Sequence, residues 1–457
     1  MKKSMAQTGL SLTTKLGYAV GDFGANMVFQ SVVLFLMFYL TDVFLIPAGV
    51  AGTIFLIAKI WDAVSDPMMG YISDRTKSRW GRKRPYLLFG ALPLGICMAL
   101  LFYTPALEGS SKTMYALVMF LLVCTAYTVV NIPYGALTAN LTLDTNERSR
   151  LTGYRMFFAI LGTLFVAGAT KPLVGLFDSS VEGWRFIGML YGAIAAFFTL
   201  VTFATVKERI QHKETEEYHL RDIVTTLKVN KPFIFLSIGV FLHLCAIGVL
   251  ASMVNYLLKY NYAKEEFIPI AFLCMFATSA AVIPLWVFLS QKMGKKHAFN
   301  AGMGMLAVIL LVLFFVKEFN GVLFIVLFVI AGISISTVFF SPWAMIPDTV
   351  EYSQWKTGIR REGILYGFFY FSQKLAAACA GFITGIGLTL CGYLQPLLVG
   401  NTLTSRMQAE SALTGIRLLS TIIPMLLIIL GIVFIWLFPI DEKMHRKIVE
   451  EIGSGVI

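Results

Sequence analysis

The chain is poor in charge. Of its 457 residues, 14% are Asp, Glu, Lys or Arg and 57% are hydrophobic, whereas a soluble domain carries about a quarter charged residues. That deficit excludes a water-soluble globular fold and implies an integral membrane protein. Histidine is scarce, with five in the chain, and none has metal-ligand spacing. His-Glu-x-x-His and Gly-x-Ser-x-Gly patterns are missing, so nothing points to an enzyme or a cofactor. Cys97, Cys124, Cys245, Cys274, Cys379 and Cys391 fall in or beside apolar runs without a C-x-x-C pair, and read as buried free thiols. No low-complexity segment, soluble terminal domain or cleavable signal peptide is evident; residues 1–14 are polar, and the first apolar run is too long for an h-region.

What is present is a series of long apolar runs. A spanning helix needs about 20 mostly apolar residues. Twelve such runs lie near 16–44, 48–73, 85–104, 113–142, 152–177, 185–206, 232–258, 267–290, 298–316, 321–345, 363–392 and 412–439. The pattern predicts an all-α integral membrane protein of twelve transmembrane helices in two six-helix pseudo-symmetric bundles. The expected boundaries are 1–206 for the first bundle, 207–231 for a central cytoplasmic loop, 232–440 for the second bundle and 441–457 for a cytoplasmic tail.

The net charge of +11 does not mark a nucleic-acid binder, because the cations are spread over short loops. Residues 75–84 hold Arg75, Lys77, Arg79, Arg82, Lys83 and Arg84, and Lys292, Lys295 and Lys296 occupy a corresponding loop of the second half. The opposite loops hold few cations. By the positive-inside rule, both termini and the central loop are expected in the cytoplasm, in a multi-pass cytoplasmic (inner) membrane protein. Gly81-Arg82-Lys83 and Gly294-Lys295-Lys296 follow the second run of each half, which suggests an internal repeat.

Ionisable groups at bilayer depth are costly and mark ion or substrate paths. The second run carries Lys59, Asp62 and Asp66 in an otherwise apolar stretch. The acids are four apart and share a helix face. Two neighbouring carboxylates repel, which suits them to a sodium ion or a proton; the alternative is an internal salt bridge with Lys59 or another basic residue. In the fourth run Thr128 and Asn131 share a face, and Pro133 frees a carbonyl. These are candidate neutral ligands to a cation or a sugar, or helix–helix hydrogen-bonding groups.

In the first run Asp22 lies one turn before Asn26. Asp22 reads as a ligand group or as a water-facing residue near the helix end. Arg155 opens the fifth run as a site residue or a snorkelling end residue. Lys374, deep in the eleventh run, needs an anionic partner; Asp62 and Asp66 are candidates for a cross-half ion pair. His243 reads as packed. The mixed-charge segment 348–363, with Asp348, Glu351, Arg360 and Glu362, is read as a cytoplasmic gate pairing with basic loops or as a solvated loop. Lys59 and Arg148 are placed with it in gating and coupling.

Several separated motifs occur in order. Gly21-Asp22-Phe23-Gly24, Trp61-Asp62-Ala63-Val64-Ser65-Asp66-Pro67, Asn131-Ile132-Pro133-Tyr134, Asp348-Thr349-Val350-Glu351-Tyr352 and Gly358-Ile359-Arg360-Arg361-Glu362-Gly363 resemble the glycoside–pentoside–hexuronide:cation symporters, of which the melibiose permease type is a branch. The resemblance covers nearly the whole chain. It implies the major facilitator fold, whose site lies near the midplane between the halves, and cation-coupled sugar uptake. It places the coupling cation on Asp62 and Asp66, where a third acid of the melibiose type is replaced by Asn131. The sugar-binding aspartate of that type is replaced by Asn26. Arg155 and Lys374 match a basic pair, Tyr127 matches a tyrosine near the site, and Gly135 stands where that type has tryptophan.

The resulting expectation is symport of a sugar with H+ or Na+, without a resident cofactor, by a monomer in the lipid bilayer. Cation-binding candidates are Asp62, Asp66, Thr128 and Asn131. Substrate-binding candidates are Asp22, Asn26, Tyr127, Asn131, Arg155 and Lys374. A missing acid weakens a sodium cage, and the Asn26 exchange makes a hexuronide or glucuronide an alternative to a neutral glycoside or pentoside. A sodium-coupled lysophospholipid symporter of the same fold is the rival cargo reading.

Overall fold

The computed structural model describes residues 10–142, 145–208, 227–359, 362–399 and 402–453. Twelve helices among these are long and apolar enough to cross a membrane. They are α1 Leu12–Leu36, α2 Ala48–Arg75, α3 Arg84–Leu101, α4 Gly109–Leu141, α5 Thr145–Val174, α6 Ser180–Thr205, α7 Lys231–Asn261, α8 Glu265–Met293, α9 Lys295–Phe315, α10 Gly321–Thr357, α11 Glu362–Leu390 and α12 Glu410–Trp436. Helices dominate for a physical reason: in lipid each backbone N–H and C=O needs an internal partner, and a helix satisfies them within one segment. A final helix, α13 Glu442–Gly453, is amphipathic.

The chain divides into two compact units, Met1–Thr215 with Tyr393–Gln408, and Glu216–Gly392 with Ala409–Ile457. In the first, α1 packs on α5 and α6, α2 on α4, and α3 on α4 and α6. In the second, α7 packs on α11 and α12, α8 on α10, and α9 on α10 and α12. Adding six to each helix number of the first set gives the second. The repeat extends to backbone detail. Wide π-type turns end α1 at Val32–Leu36 and α7 at Leu257–Asn261. Soon after each, a non-glycine residue takes a positive φ: Leu45 at 56° and Ala263 at 52°. Gly81 (φ 111°) and Gly294 (φ 86°) occupy the entries to α3 and α9, the left-handed region that glycine enters without penalty.

The entry to α3 shows why glycine is needed there. The carboxylate of Glu208 accepts from the backbone N–H groups of Arg82, Lys83 and Arg84 at 2.7–3.1 Å. It covers donors that a helix start leaves unpaired and places a negative charge at the positive helix end. A Cβ on Gly81 would lie 2.5 Å from Glu208 Oε1.

Three elements differ from the sequence expectation. Residues 348–357, read as loop, are the last turns of α10, which ends at Gly358 in the left-handed region. Helix α5 begins at Thr145, so Arg155 lies in its third turn and not at its start. The α11–α12 connection holds a short antiparallel hairpin, Leu397–Val399 with Thr402–Thr404, that the apolar-run pattern does not signal. Nearby, Tyr393 Oη donates to buried Asp42 Oδ2 at 2.7 Å within the first unit. Arg360 lies outside the described residues.

Close helix contacts in the first unit depend on Gly95 and Gly192. A Cβ on Gly192 would sit 2.3 Å from the carbonyl oxygen of Gly95, and one on Gly95 2.8 Å from that of Gly192. Gly192→Ala therefore forces α3 and α6 apart and is expected to cost about 1–3 kcal/mol. Gly135 has open space around its Cα, and Gly135→Ala is expected to leave stability unchanged or raise it. Thermal unfolding in detergent checks both; equal melting temperatures for the two variants would refute the packing argument.

Candidate functional site

The chemistry of the first unit gathers in two neighbouring groups on α1, α2, α4 and α5. In the first, Asp62 and Asp66 stand on successive turns of α2. Asp62 is 4% exposed, and Asp66 is partly exposed. Thr128 reaches across from α4 to both: its Oγ1 lies 2.7 Å from Asp66 Oδ1 and 3.2 Å from Asp62 Oδ1. Ser65 Oγ approaches Thr128 Oγ1 at 3.4 Å. Lys59 Nζ lies 3.4 Å from Asp62 Oδ2. Pro67 and Pro133 interrupt α2 and α4 beside this group, and each removes the ladder donor for a carbonyl four residues earlier, Ala63 or Val129.

A threonine hydroxyl carries one proton. It donates to one carboxylate at a time while standing within hydrogen-bond reach of both acids.

In the second group Asp22 is 6% exposed, which rules out the water-facing reading. Arg155 binds it through Nε to Oδ2 at 2.6 Å and through Nη2 to Oδ1 at 3.2 Å. Tyr134 Oη donates to the same Oδ2 at 2.6 Å. Arg155 Nη1 donates to Thr138 Oγ1 at 3.1 Å, and the guanidinium lies over the rings of Tyr18 and Tyr134. Tyr18 Oη donates to the Tyr134 carbonyl at 2.6 Å, while Tyr134 Oη lies 2.7 Å from the Tyr18 carbonyl. A charged pair is thus enclosed by two interlocked tyrosines.

Tyr127 connects the groups. It lines a small crevice with Gly21, Ala25, Asn131 and Tyr134, and a second with Phe29, Lys59, Asp62 and Phe120. Asn131 lines the first crevice. Asn26 turns its amide to the Asp22 carbonyl at 2.9 Å. Lys374 lies in α11 of the second unit. His243 is fully buried, with Nε2 3.3 Å from the Ile428 carbonyl and its ring against Phe299.

Of the residues assigned to gating, Arg148 and Glu362 lie in the first turns of α5 and α11, Asp348 and Glu351 in the last turns of α10, and Lys59 within α2. Lys15 pairs with Glu147 at 2.8 Å, and this hydrogen bond holds the Glu147 carboxyl below the usual carboxylate range. Arg148 Nε donates to the Thr142 carbonyl. In the second unit Asp348 pairs with Lys295 at 2.8 Å, and Glu351 meets His445 of α13 at 2.7 Å. Glu362 opens α11. The sequence reading missed Tyr18, Tyr134, Thr138 and His445, whereas Lys295 belongs to a basic loop that it expected to pair with segment 348–363. The first two were detectable: Tyr18 is four residues before Asp22, on its helix face, and Tyr134 is one turn beyond Asn131.

A family model described as MFS/sugar transport protein matches residues 17–442. The chain belongs to this family. It is a sugar:cation symporter of the major facilitator superfamily, hence a multi-pass membrane transporter and not an enzyme. The uncharacterized symporter YnaJ of Bacillus subtilis is 35% identical over 97% of this chain and 95% of its own length. The isoprimeverose transporter of Lactiplantibacillus pentosus is 32% identical over 83% and 80%. The glucuronide carrier protein homolog of Escherichia coli is 30% identical over 97% and 96%. The inward-open xylose transporter XylE from E. coli shares the fold, with a TM-score of 0.64 at 13% identity over 98% of this symporter and 99% of XylE.

The Asp22–Arg155 pair is expected to stabilise the first unit. Asp22→Asn leaves a largely buried guanidinium without its full countercharge and is expected to cost about 3 kcal/mol or more. Tyr134→Phe removes one hydrogen bond to a charged group and should cost about 1.5–3 kcal/mol. Thermal unfolding of the purified symporter measures both. Wild-type stability in Asp22→Asn would show that the pair carries no structural load.

Proposed function

We propose that this symporter couples the uptake of a sugar to the entry of one proton, and that the proton is held by Asp62 and Asp66. The observation that carries the reading is the Thr128 hydroxyl placed between the two acids. A proton on one carboxyl completes a chain in which carboxyl donates to hydroxyl and hydroxyl donates to carboxylate. A sodium ion needs several oxygen ligands, and Asn131 stands in the other crevice. This favours the proton.

Within the first unit, the sugar is read by Asn26, Tyr127, Asn131 and the Asp22–Arg155 pair. Arg155 already spends its charge on Asp22, so an anionic sugar would have to displace a carboxylate. That favours a neutral glycoside or pentoside, in line with the isoprimeverose relative. The glucuronide relative keeps a hexuronide as the second reading. Proton binding shifts the population toward the state that binds sugar, and the coupling is reciprocal. The transporter works as a monomer in the cytoplasmic membrane. An even number of candidate spans and the basic loops support a reading with both ends in the cytoplasm. The Asp348–Lys295 and Glu351–His445 pairs of the second unit support a gating role for the cytoplasmic end of α10.

Uptake of a radiolabelled neutral pentoside or galactoside and of a glucuronide into inside-negative vesicles tests this, each under a proton or a sodium gradient. Proton-driven uptake of the neutral sugar is expected, abolished in Asp66→Asn. Thr128→Val should lower it by about ten-fold or more, the effect of losing a hydrogen bond of about 1.5–3 kcal/mol to a charged group. Sodium-driven uptake would replace the proton assignment, and movement of neither sugar under either gradient would overturn the reading.

A further inference from the structure

The helix repeat is broken in one connection. Residues 175–179 join α5 to α6, five in all, whereas the counterpart between α11 and α12 has nineteen, 391–409. The longer connection also changes unit. Tyr393–Gln408 packs with the first unit, although α11 and α12 on either side of it belong to the second. Its docking is specific. Tyr393 Oη donates to Asp42 Oδ2 at 2.7 Å, and both residues are buried. Thr41 Oγ1 donates to the same oxygen at 2.8 Å. The Gln395 amide donates to the carbonyl oxygen of Ile46 and, at 3.4 Å, to that of Thr41. The last carbonyls of a helix lack intrahelical donors. The end of α1 and the turn after it therefore offer acceptors, and the connection supplies donors. Gln408 closes the base of the connection through the N–H of Leu394 at 2.9 Å and its C=O at 2.6 Å.

Resting on the reading of this symporter as a carrier that works by alternating access, we propose that Tyr393 and Gln395 form the latch of its outer gate. The Asp42 carboxyl and the carbonyls of Thr41 and Ile46 are the catch. One span, α1, separates the catch from the N-terminus, and one, α12, separates the latch from the C-terminus. Both therefore lie on the face opposite the termini, which is the outer face on the proposed topology. In transporters built from two repeats, one bundle rocks against the other. The connection is covalently part of the second unit and hydrogen-bonded to the first. While it is docked, the ends of α11 and α12 stay tied to the α1–α2 turn, and opening to the outside requires these bonds to break. Their loss shifts the population toward the outward-open state by the free energy they contribute to the docked one. The scaffold does not need the extra length, since five residues join α5 to α6 at the corresponding place.

The test reads access from outside. Ala25, in the crevice with Tyr127 and Asn131, is replaced by cysteine in a full-length symporter whose six native cysteines have been substituted. A membrane-impermeant maleimide is added to right-side-out vesicles without sugar. Tyr393→Phe and Gln395→Ala are each expected to raise the labelling rate about five-fold, the effect of one hydrogen bond on a two-state equilibrium. The double variant should raise it about twenty-fold if the two bonds act independently. Tyr39→Phe is the control. It removes the hydrogen bond between Tyr39 Oη and Thr104 Oγ1 at 2.9 Å within the first unit and leaves the latch intact, so it should label like the parent. Parental labelling in the double variant overturns the proposal. Equal acceleration in Tyr39→Phe overturns it too, because general loosening would then explain the result. Gln395→Ala deletes an amide that bonds only backbone carbonyls, and it decides alone if Tyr393→Phe fails to fold. Labelling needs no cargo. A wild type that moves no sugar under either gradient overturns the symport reading and leaves the latch measurement standing.

Discussion

A charge inside an apolar helix bundle must have a partner, and the interior of the first unit is organised around that requirement. Asp22 is matched to Arg155, Asp62 to Lys59, and Asp66 to the Thr128 hydroxyl. Each match joins different turns or different helices, so the charges also fix helix register. Removing one partner costs more than the pair contributes, because the remaining charge stays buried. The same rule makes such pairs useful for transport. An ion that neutralises one member changes which partner the others need.

The two groups differ in how complete their pairing is. Around Asp22 both carboxylate oxygens are engaged, by a guanidinium and a phenol, and tyrosine rings close over the assembly. Around Asp62 and Asp66 one hydroxyl serves two acids. On the proposed reading a cation binds at the second group and a sugar at the first. This division suits a mechanism in which the ion prepares the site and the sugar follows.

Much of this was legible in the sequence. The apolar runs foretell twelve helices because hydrophobic length is the strongest signal a membrane span gives. Gly81 and Gly294 foretell the repeat because a left-handed entry to α3 and α9 favours glycine. Hydropathy says where a helix leaves lipid, not where its hydrogen bonds end, so it stops short of Thr357; Gly358 was the readable stop signal, as a left-handed residue closing the helix. For the same reason α5 began too late, and Arg155 was placed at a helix start when it belongs to the bundle interior. The Thr128 bridge depends on the axial register of α2 against α4, which spacing within one helix cannot give. The Leu397–Thr404 hairpin is too short to carry a pattern of its own.

The repeat also separates what the fold needs from what transport needs. Helix α8 holds in the second unit the place that α2 holds in the first: each follows a wide turn and a left-handed residue, packs on the fourth helix of its half, and leads to a glycine with positive φ. Between Ile268 and Ser290, α8 has no Asp, Glu, Lys, Arg or His, yet it folds and packs in the same manner. The scaffold therefore does not require Lys59, Asp62 or Asp66 in α2. Three ionisable groups that the packing can do without, kept at a depth where each is costly, fit the proposed cation site better than a role in the stability of the bundle.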